Sequence, residues 1–218
     1  MKATQFISKW KDLIKDLKDN TEFLKCYRDD TSWTELVLGD GKKNGERERE
    51  REVEDNNPMT DKSRLGAVVI DDNSLRYRKE DAKIDLVFGK ENFIIDVKNS
   101  NKINNSCFYP KVYEIIVEHE NNIATAWQEM VKLTTFRAKL KVLITYNWGE
   151  DENDKKDYSK NIETTAQNFG NIIKQTNEVF PENPDTEYLL IIGQRKVENV
   201  FWHYFIYNAG IIMEEYKD

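Results

Sequence analysis

From Val112 to Glu120 the residues Tyr113, Ile115, Ile116 and Val117 mark a strand that closes on Glu118-His119-Glu120. It runs directly into a helical pattern from about Asn122 to Arg137, with Ile123, Ala126, Trp127, Met130, Val131 and Leu133 as its apolar stripe. A short apolar strand follows, Lys141-Val142-Leu143-Ile144-Thr145-Tyr146. A strand, helix, strand succession of this kind normally makes a right-handed parallel crossover, since parallel neighbours cannot be joined by a tight turn. This segment therefore calls for helices packed on a sheet that contains parallel strands.

The remaining patterns fit that frame. Phe6, Trp10, Leu13, Ile14 and Leu17 recur at helical spacing from Thr4 to Leu17, a short helix is expected over Thr21 to Tyr27, and Ser32-Trp33-Thr34-Glu35 has capping-box form before Leu36-Val37-Leu38. Order resumes at Leu65 to Ile70, with a turn at Asp71 to Ser74 and a short strand from Ser74 to Arg78. Lys83 to Phe88 reads as a strand, with Phe93 to Lys98 as its hairpin partner across Gly89-Lys90-Glu91-Asn92. A long helix is expected from Ser159 to Val179, with Ile162, Ala166, Phe169, Ile172 and Ile173 inward. Glu187 to Ile192 and Val200 to Tyr207 should pair antiparallel near an edge. The fold class is α/β, a mixed central β-sheet flanked by helices.

At 218 residues the chain can bury a sizeable core as one domain, residues 1–218. Within it, about 39–64 is nearly devoid of apolar residues and alternates in sign from Glu46 to Glu52, the pattern of an exposed charged loop. No apolar run approaches the roughly 20 residues of a membrane span, and Met1 to Gln5 lacks the apolar core of a secretion signal, so no membrane partner and a cytoplasmic location are expected. Cys26 and Cys107 lie outside any Cys-x-x-Cys pattern and suggest neither a zinc site nor a disulfide framework. The net charge of −7 argues against a protein that coats nucleic acid non-specifically, yet permits one that gathers carboxylates around a metal ion.

Residues two apart in a strand point to the same face, about 6.5 to 7 Å apart, so Glu118 and Glu120 share one surface and Val117 and His119 take the other. The acids stand where a strand ends and a helix begins, and a helix N-terminus favours negative groups. Asp85 interrupts the apolar series Ile84, Leu86, Val87, Phe88, where an acid is costly unless paired or bound to metal. Were its strand paired with that of Glu118, three carboxylates would converge. Magnesium takes one or two carboxylates, waters and substrate phosphate in a near-octahedral oxygen shell, a role that suits Asp85 and Glu118. Glu120 would then accept a proton from the attacking water or hold a second metal. His119 reads as a packed or hydrogen-bonded histidine, and His203, in an aromatic strand, as structural.

Taken together, Asp85, the segment Ile115-Ile116-Val117-Glu118-His119-Glu120-Asn121, the helix carrying Trp127-Gln128-Glu129-Met130-Val131-Lys132-Leu133 and the strand Leu140 to Tyr146 resemble the PD-(D/E)XK, or restriction endonuclease-like, nuclease superfamily. The resemblance covers roughly Lys83 to Tyr146. It is narrowest to the Glu-x-Glu variant of that superfamily and to a group of bacterial proteins with a Glu-His-Glu-Asn signature. It implies a restriction endonuclease-like fold and Mg²⁺-dependent hydrolysis of phosphodiesters, with Mn²⁺ as a substitute. It also implies a nucleic-acid partner, DNA before RNA, in a restriction or defence setting, and admits a homodimer. It places metal ligands on Asp85 and Glu118 and the third catalytic position on Glu120. Most of the superfamily has lysine there, and glutamate cannot supply the cationic charge; Lys132, on the following helix, is the candidate to restore it. A rival assignment uses Asp85 with Asp96 and Lys98 at shorter spacing. Glu118 and Glu120 are preferred because they immediately precede the helix. Glu35 and Glu80 are candidates for a further acid.

Two other functions compete with the nuclease. A nuclease-fold binding module without catalysis accounts for the missing lysine and the acidic charge. A glycosidase would use Glu118 and Glu120 as its carboxyl pair, but acids on one strand are poorly placed to flank a sugar bond.

Overall fold

The computed structural model describes residues 1–18, 27, 30–38, 63–70, 75–81, 84–90, 113–147, 158–196 and 199–218. The expected strand from Phe93 to Lys98, most of the helix ahead of Tyr27 and residues 39–62 of the charged stretch lie outside the described residues. The chain divides into two compact units, Thr4–Glu114 and Ile115–Asp218 with Met1–Ala3.

In the first unit, helix α1 (Ala3–Lys18) buries Phe6, Ile7, Trp10, Leu13, Ile14 and Leu17, the stripe that its spacing required. Helix α2 (Asp30–Leu38) begins two residues before Ser32, so that serine sits inside the helix rather than at its N-cap. Its Trp33 meets Tyr27 edge to face, with centroids 4.9 Å apart. Helix α3 (Arg64–Ile70) starts at a real cap: the Gly66 N–H donates to the Ser63 hydroxyl at 2.9 Å and the Ala67 N–H to the Ser63 carbonyl at 2.9 Å. Arg64 therefore belongs to a helix rather than to the charged loop. Strands β1 (Leu75–Asp81) and β2 (Ile84–Lys90) pair antiparallel, from Leu75 opposite Lys90 to Asp81 opposite Ile84. Tyr77 and Phe88, opposite each other in that register, pack with centroids 6.0 Å apart.

The second unit carries a mixed sheet in the order β3-β4-β5-β6-β7 with helices beside it, the α/β architecture expected from the sequence. Its elements are β3 (Tyr113–Glu120, entering this unit at Ile115), α4 (Ala126–Thr135), β4 (Ala138–Asn147), α5 (Tyr158–Val179), β5 (Glu187–Lys196), β6 (Asn199–Asn208) and β7 (Ile211–Lys217). The carboxyl ends of β3 and β4 meet, since the Ile123 N–H donates to the Tyr146 carbonyl at 3.2 Å, so the two strands run parallel with α4 as the crossover. β4 and β5 are parallel, while β5, β6 and β7 are successively antiparallel. Gly193 stands in register between Tyr146 and Trp202; with no side chain between them, those rings meet at 6.0 Å.

Two departures from expectation stand out. The buried side of α4 is Ala126, Met130, Leu133 and Thr134, which leaves Trp127 54% and Val131 43% exposed instead of inward. Strand β7, unforeseen in the sequence, is exposed along its whole length and is last in the order of described strands. It turns back from β6 at Ala209 (φ 49°) and Gly210 (φ 83°), and Gly210 packs directly on Gly170 of α5.

Candidate functional site

Hydrogen bonds fix which side chains share each face of this sheet. His119 Nε2 and the Tyr146 hydroxyl lie 2.6 Å apart, so these residues are on one face of β3 and β4. Strand alternation then sends Glu118 and Glu120, with Thr145 and Asn147, to the other. Lys141, which donates to the Tyr188 hydroxyl at 3.0 Å, carries the same alternation into β5, where Leu190, Ile192 and Gln194 share the Glu118 face. The register of β5 with β6 adds His203 opposite Ile192. Helix α5 covers this face as well, because the Tyr207 hydroxyl, opposite Tyr188, donates to the Ala166 carbonyl at 2.9 Å.

A polar band results at the carboxyl ends of three adjacent parallel strands: Glu118 and Glu120 on β3, Thr145 and Asn147 on β4, Gln194 on β5. Ligands of open α/β sheets bind at the carboxyl ends of strands. The band continues to His203, whose Nε2 donates to the Gln194 amide oxygen at 3.1 Å.

Glu118 is the centre of the band. Its side chain is only 1% exposed, and Lys132 reaches it from α4 with Nζ 2.9 Å from Oε1. Lys132 also forms an ion pair with Glu129, one turn back on the helix. Partial burial alone would lower the Lys132 pKa. Hydrogen bonds to Glu129 and Glu118, together with both negative charges, outweigh that and hold it above the ordinary lysine value. The ammonium is thus secured as a cation at neutral pH beside a carboxylate withdrawn from water.

Glu120 has a local task. Its Oε1 accepts the Asn122 N–H at 2.9 Å, and the Asn122 side chain in turn accepts the Ala124 N–H at 2.9 Å. These bonds shape the turn that lifts the chain from β3 into α4, which starts at Ala126 rather than Asn122. His119 is buried and hydrogen-bonded to Tyr146, and desolvation pushes its pKa down from 6.5 to about 3, although a backbone hydrogen bond opposes the shift.

The other candidates are placed as follows. Asp85 lies half-buried on β2 of the first unit, between the buried Ile84 and Leu86. Glu35 is on α2 and Glu80 on β1. Asp96 and Lys98 fall outside the described residues. Thr145, Asn147 and Gln194 were not singled out in the sequence; their signal is the polar alternation that ends two otherwise apolar strands.

Among the described residues, no three His, Cys, Asp or Glu side chains gather as a cation cage. A magnesium ion does not require one, because one or two carboxylates suffice when water and substrate complete its shell. The hard oxygen donors of Glu118 and Glu120, on one face at a strand end, fit that donor chemistry.

The chain matches no protein-family profile and has no significant match among curated proteins.

Proposed function

We propose that the chain is a metal-dependent nuclease that hydrolyses phosphodiester bonds of DNA, with Glu118 as its principal carboxylate. The observation that carries this reading is Glu118 itself, withdrawn from water at the carboxyl end of a parallel strand and held by a lysine from the crossover helix. Burying a carboxylate costs several kcal/mol unless charge and hydrogen bonds offset it. A fold that needed only packing at position 118 would favour an apolar residue.

Glu118 and Glu120 are the residues of this unit that would hold Mg²⁺ or Mn²⁺. Bound there, the ion would supply Lewis acidity and a water of lowered pKa. Lys132 orients the Glu118 carboxylate and brings positive charge beside the place where a phosphate gains negative charge, the part that lysine at position 120 would otherwise play. Asp85 is retained as the second proposed metal ligand on the strength of the sequence resemblance. A cytoplasmic restriction or defence setting accords with the reading; no described helix is long and apolar enough to cross a membrane.

The reading predicts cleavage of DNA by the purified chain only with Mg²⁺ or Mn²⁺, and its loss in Glu118→Gln and Asp85→Asn with the fold intact by circular dichroism. Undiminished cleavage by Glu118→Gln would sink the site. The engagement of Glu120 with the Asn122 N–H favours a second reading, a binding module on the same fold. Calorimetric titration with Mn²⁺ separates the two, since a module binds no metal at millimolar concentration.

A further inference from the structure

Strand β7 has one edge on β6 and the other on solvent. Among the described residues, the backbone of Ile211 to Lys217 pairs with β6 and with no other element, and all seven residues are exposed. An edge of this kind displays N–H and C=O groups that a further strand can take up. A cavity of about 410 Å³ adjoins it, walled on one side by Ala166, Gln167, Gly170 and Asn171 of α5 and on the other by Gly210 and Ile212. No residue of β6 lines it, so the cavity opens on the flank of α5 that faces β7.

Register decides which side chains of β7 look towards α5. Ile212 stands opposite Tyr207, whose hydroxyl reaches Ala166, so Ile212 is on the α5 face. Glu214 then pairs with Ile206 and Glu215 with Phe205, which leaves Met213 as the extra residue of a bulge. Glu215 therefore returns to the α5 face and Glu214 takes the opposite one. Lys174 packs against Gly210 before the strand and Lys217 ends it, so negative charge is concentrated between them at Glu214 and Glu215.

We propose that β7 and α5 form a docking groove for an extended cationic peptide segment of a partner protein. The segment adds as an antiparallel strand, continuing the alternation of β5, β6 and β7, with adjacent lysine or arginine residues opposite Glu215 and Glu214. An aliphatic side chain beside Ile212 enters the cavity. In such complexes main-chain hydrogen bonds supply affinity and the pocket and cross-strand charges supply choice. A second copy of β7 brings acids of its own and lacks this complement. The inference stands apart from the reading of Glu118.

The test uses the full chain and two fluorescein-labelled peptides, Thr-Lys-Lys-Thr-Val-Thr-Val-Thr and the same sequence with Glu-Glu for Lys-Lys. Binding is read by anisotropy, with backbone amide exchange and light scattering beside it. The lysine peptide should bind at least about tenfold tighter, because two cross-strand pairs change from opposite to like charge, and it should protect amides of β7. Glu214→Lys combined with Glu215→Lys should reverse the preference, a swap that loss of the fold cannot produce. Asn171→Trp, at an exposed position on the cavity wall, should fill the cavity and weaken binding severalfold with the melting midpoint unchanged. No binding of the lysine peptide, equal binding of both peptides, an unreversed preference, normal binding by Asn171→Trp, or protection away from β7 overturns the inference. So does a dimer of the bare chain that protects β7, which assigns the edge to a second copy.

Discussion

Lys132 joins two carboxylates that would repel each other without it. Replacement by Met leaves Glu118 buried beside Glu129 with no cation between them. The expected cost is roughly 2 kcal/mol, typical of hydrogen bonds to charged groups and moderated because the lysine side chain is 29% exposed. Urea denaturation should show that loss, and cleavage should fall about a hundredfold, the scale for removing one group that stabilises transition-state charge. Lys132→Arg should recover most of the stability and only part of the rate. His119 gives a separate acid signature. Its folded pKa of about 3 lies below the unfolded 6.5, so its contribution is complete above pH 6.5 and is lost as pH falls towards 3. In that window one proton separates the folded and unfolded states, a slope of about 1.4 kcal/mol per pH unit. Denaturation series from pH 7 to pH 4 should show a shallower fall for His119→Gln. At this scale the position of Glu118 was legible because Glu-x-Glu closes an apolar strand directly before a helical stripe. The partnership with Lys132 was only half legible, since a helix lysine reads the same whether it faces water or a carboxylate.

The elements were legible where periodicity and burial coincide. Strands β3 and β4, the stripe of α1 and the inward face of α5 follow from spacing alone. Trp127 was misread because it lies one position around α4 from the buried Ala126, and a turn of about 100° per residue carries it off the contact face. Strand β7 was missed because both its faces are exposed, so Ile211-Ile212-Met213-Glu214-Glu215 shows no alternation to read. It is anchored instead by a backbone approach that hydropathy cannot reveal. A Cβ on Gly170 would lie 2.6 Å from the Gly210 carbonyl oxygen, and one on Gly210 would lie 2.5 Å from the Gly170 oxygen at a φ of +83°. Gly170→Ala and Gly210→Ala should each cost roughly 2 to 3 kcal/mol, by overpacking and, for Gly210, backbone strain. The check is the chemical denaturation midpoint, with Gln167→Ala, nearby on the exposed side of α5, as a control expected to stay within about 0.5 kcal/mol.

For the molecule as a whole, a net charge of −7 limits how it can hold a polyanion. Binding through many Lys and Arg contacts gives a slope of about −0.9 per phosphate neutralised in log affinity against log salt. On the proposed function, binding that relies on a metal ion rather than on many Lys and Arg contacts should give a slope shallower than about −3, read from anisotropy between 50 and 200 mM salt with Ca²⁺ in place of Mg²⁺. Charge also governs what the exposed edge of the sheet does in a crowded solution. β7 presents Ile211, Ile212, Met213 and Tyr216 to water, the makings of a template on which other chains polymerise. Glu214, Glu215 and Lys217 interrupt that strip, and two copies brought together antiparallel about Glu214 would set like charges face to face. The acids of β7 thus act as gatekeepers that keep a sticky edge colloidally stable, a duty separate from the role proposed for Glu118 on β3.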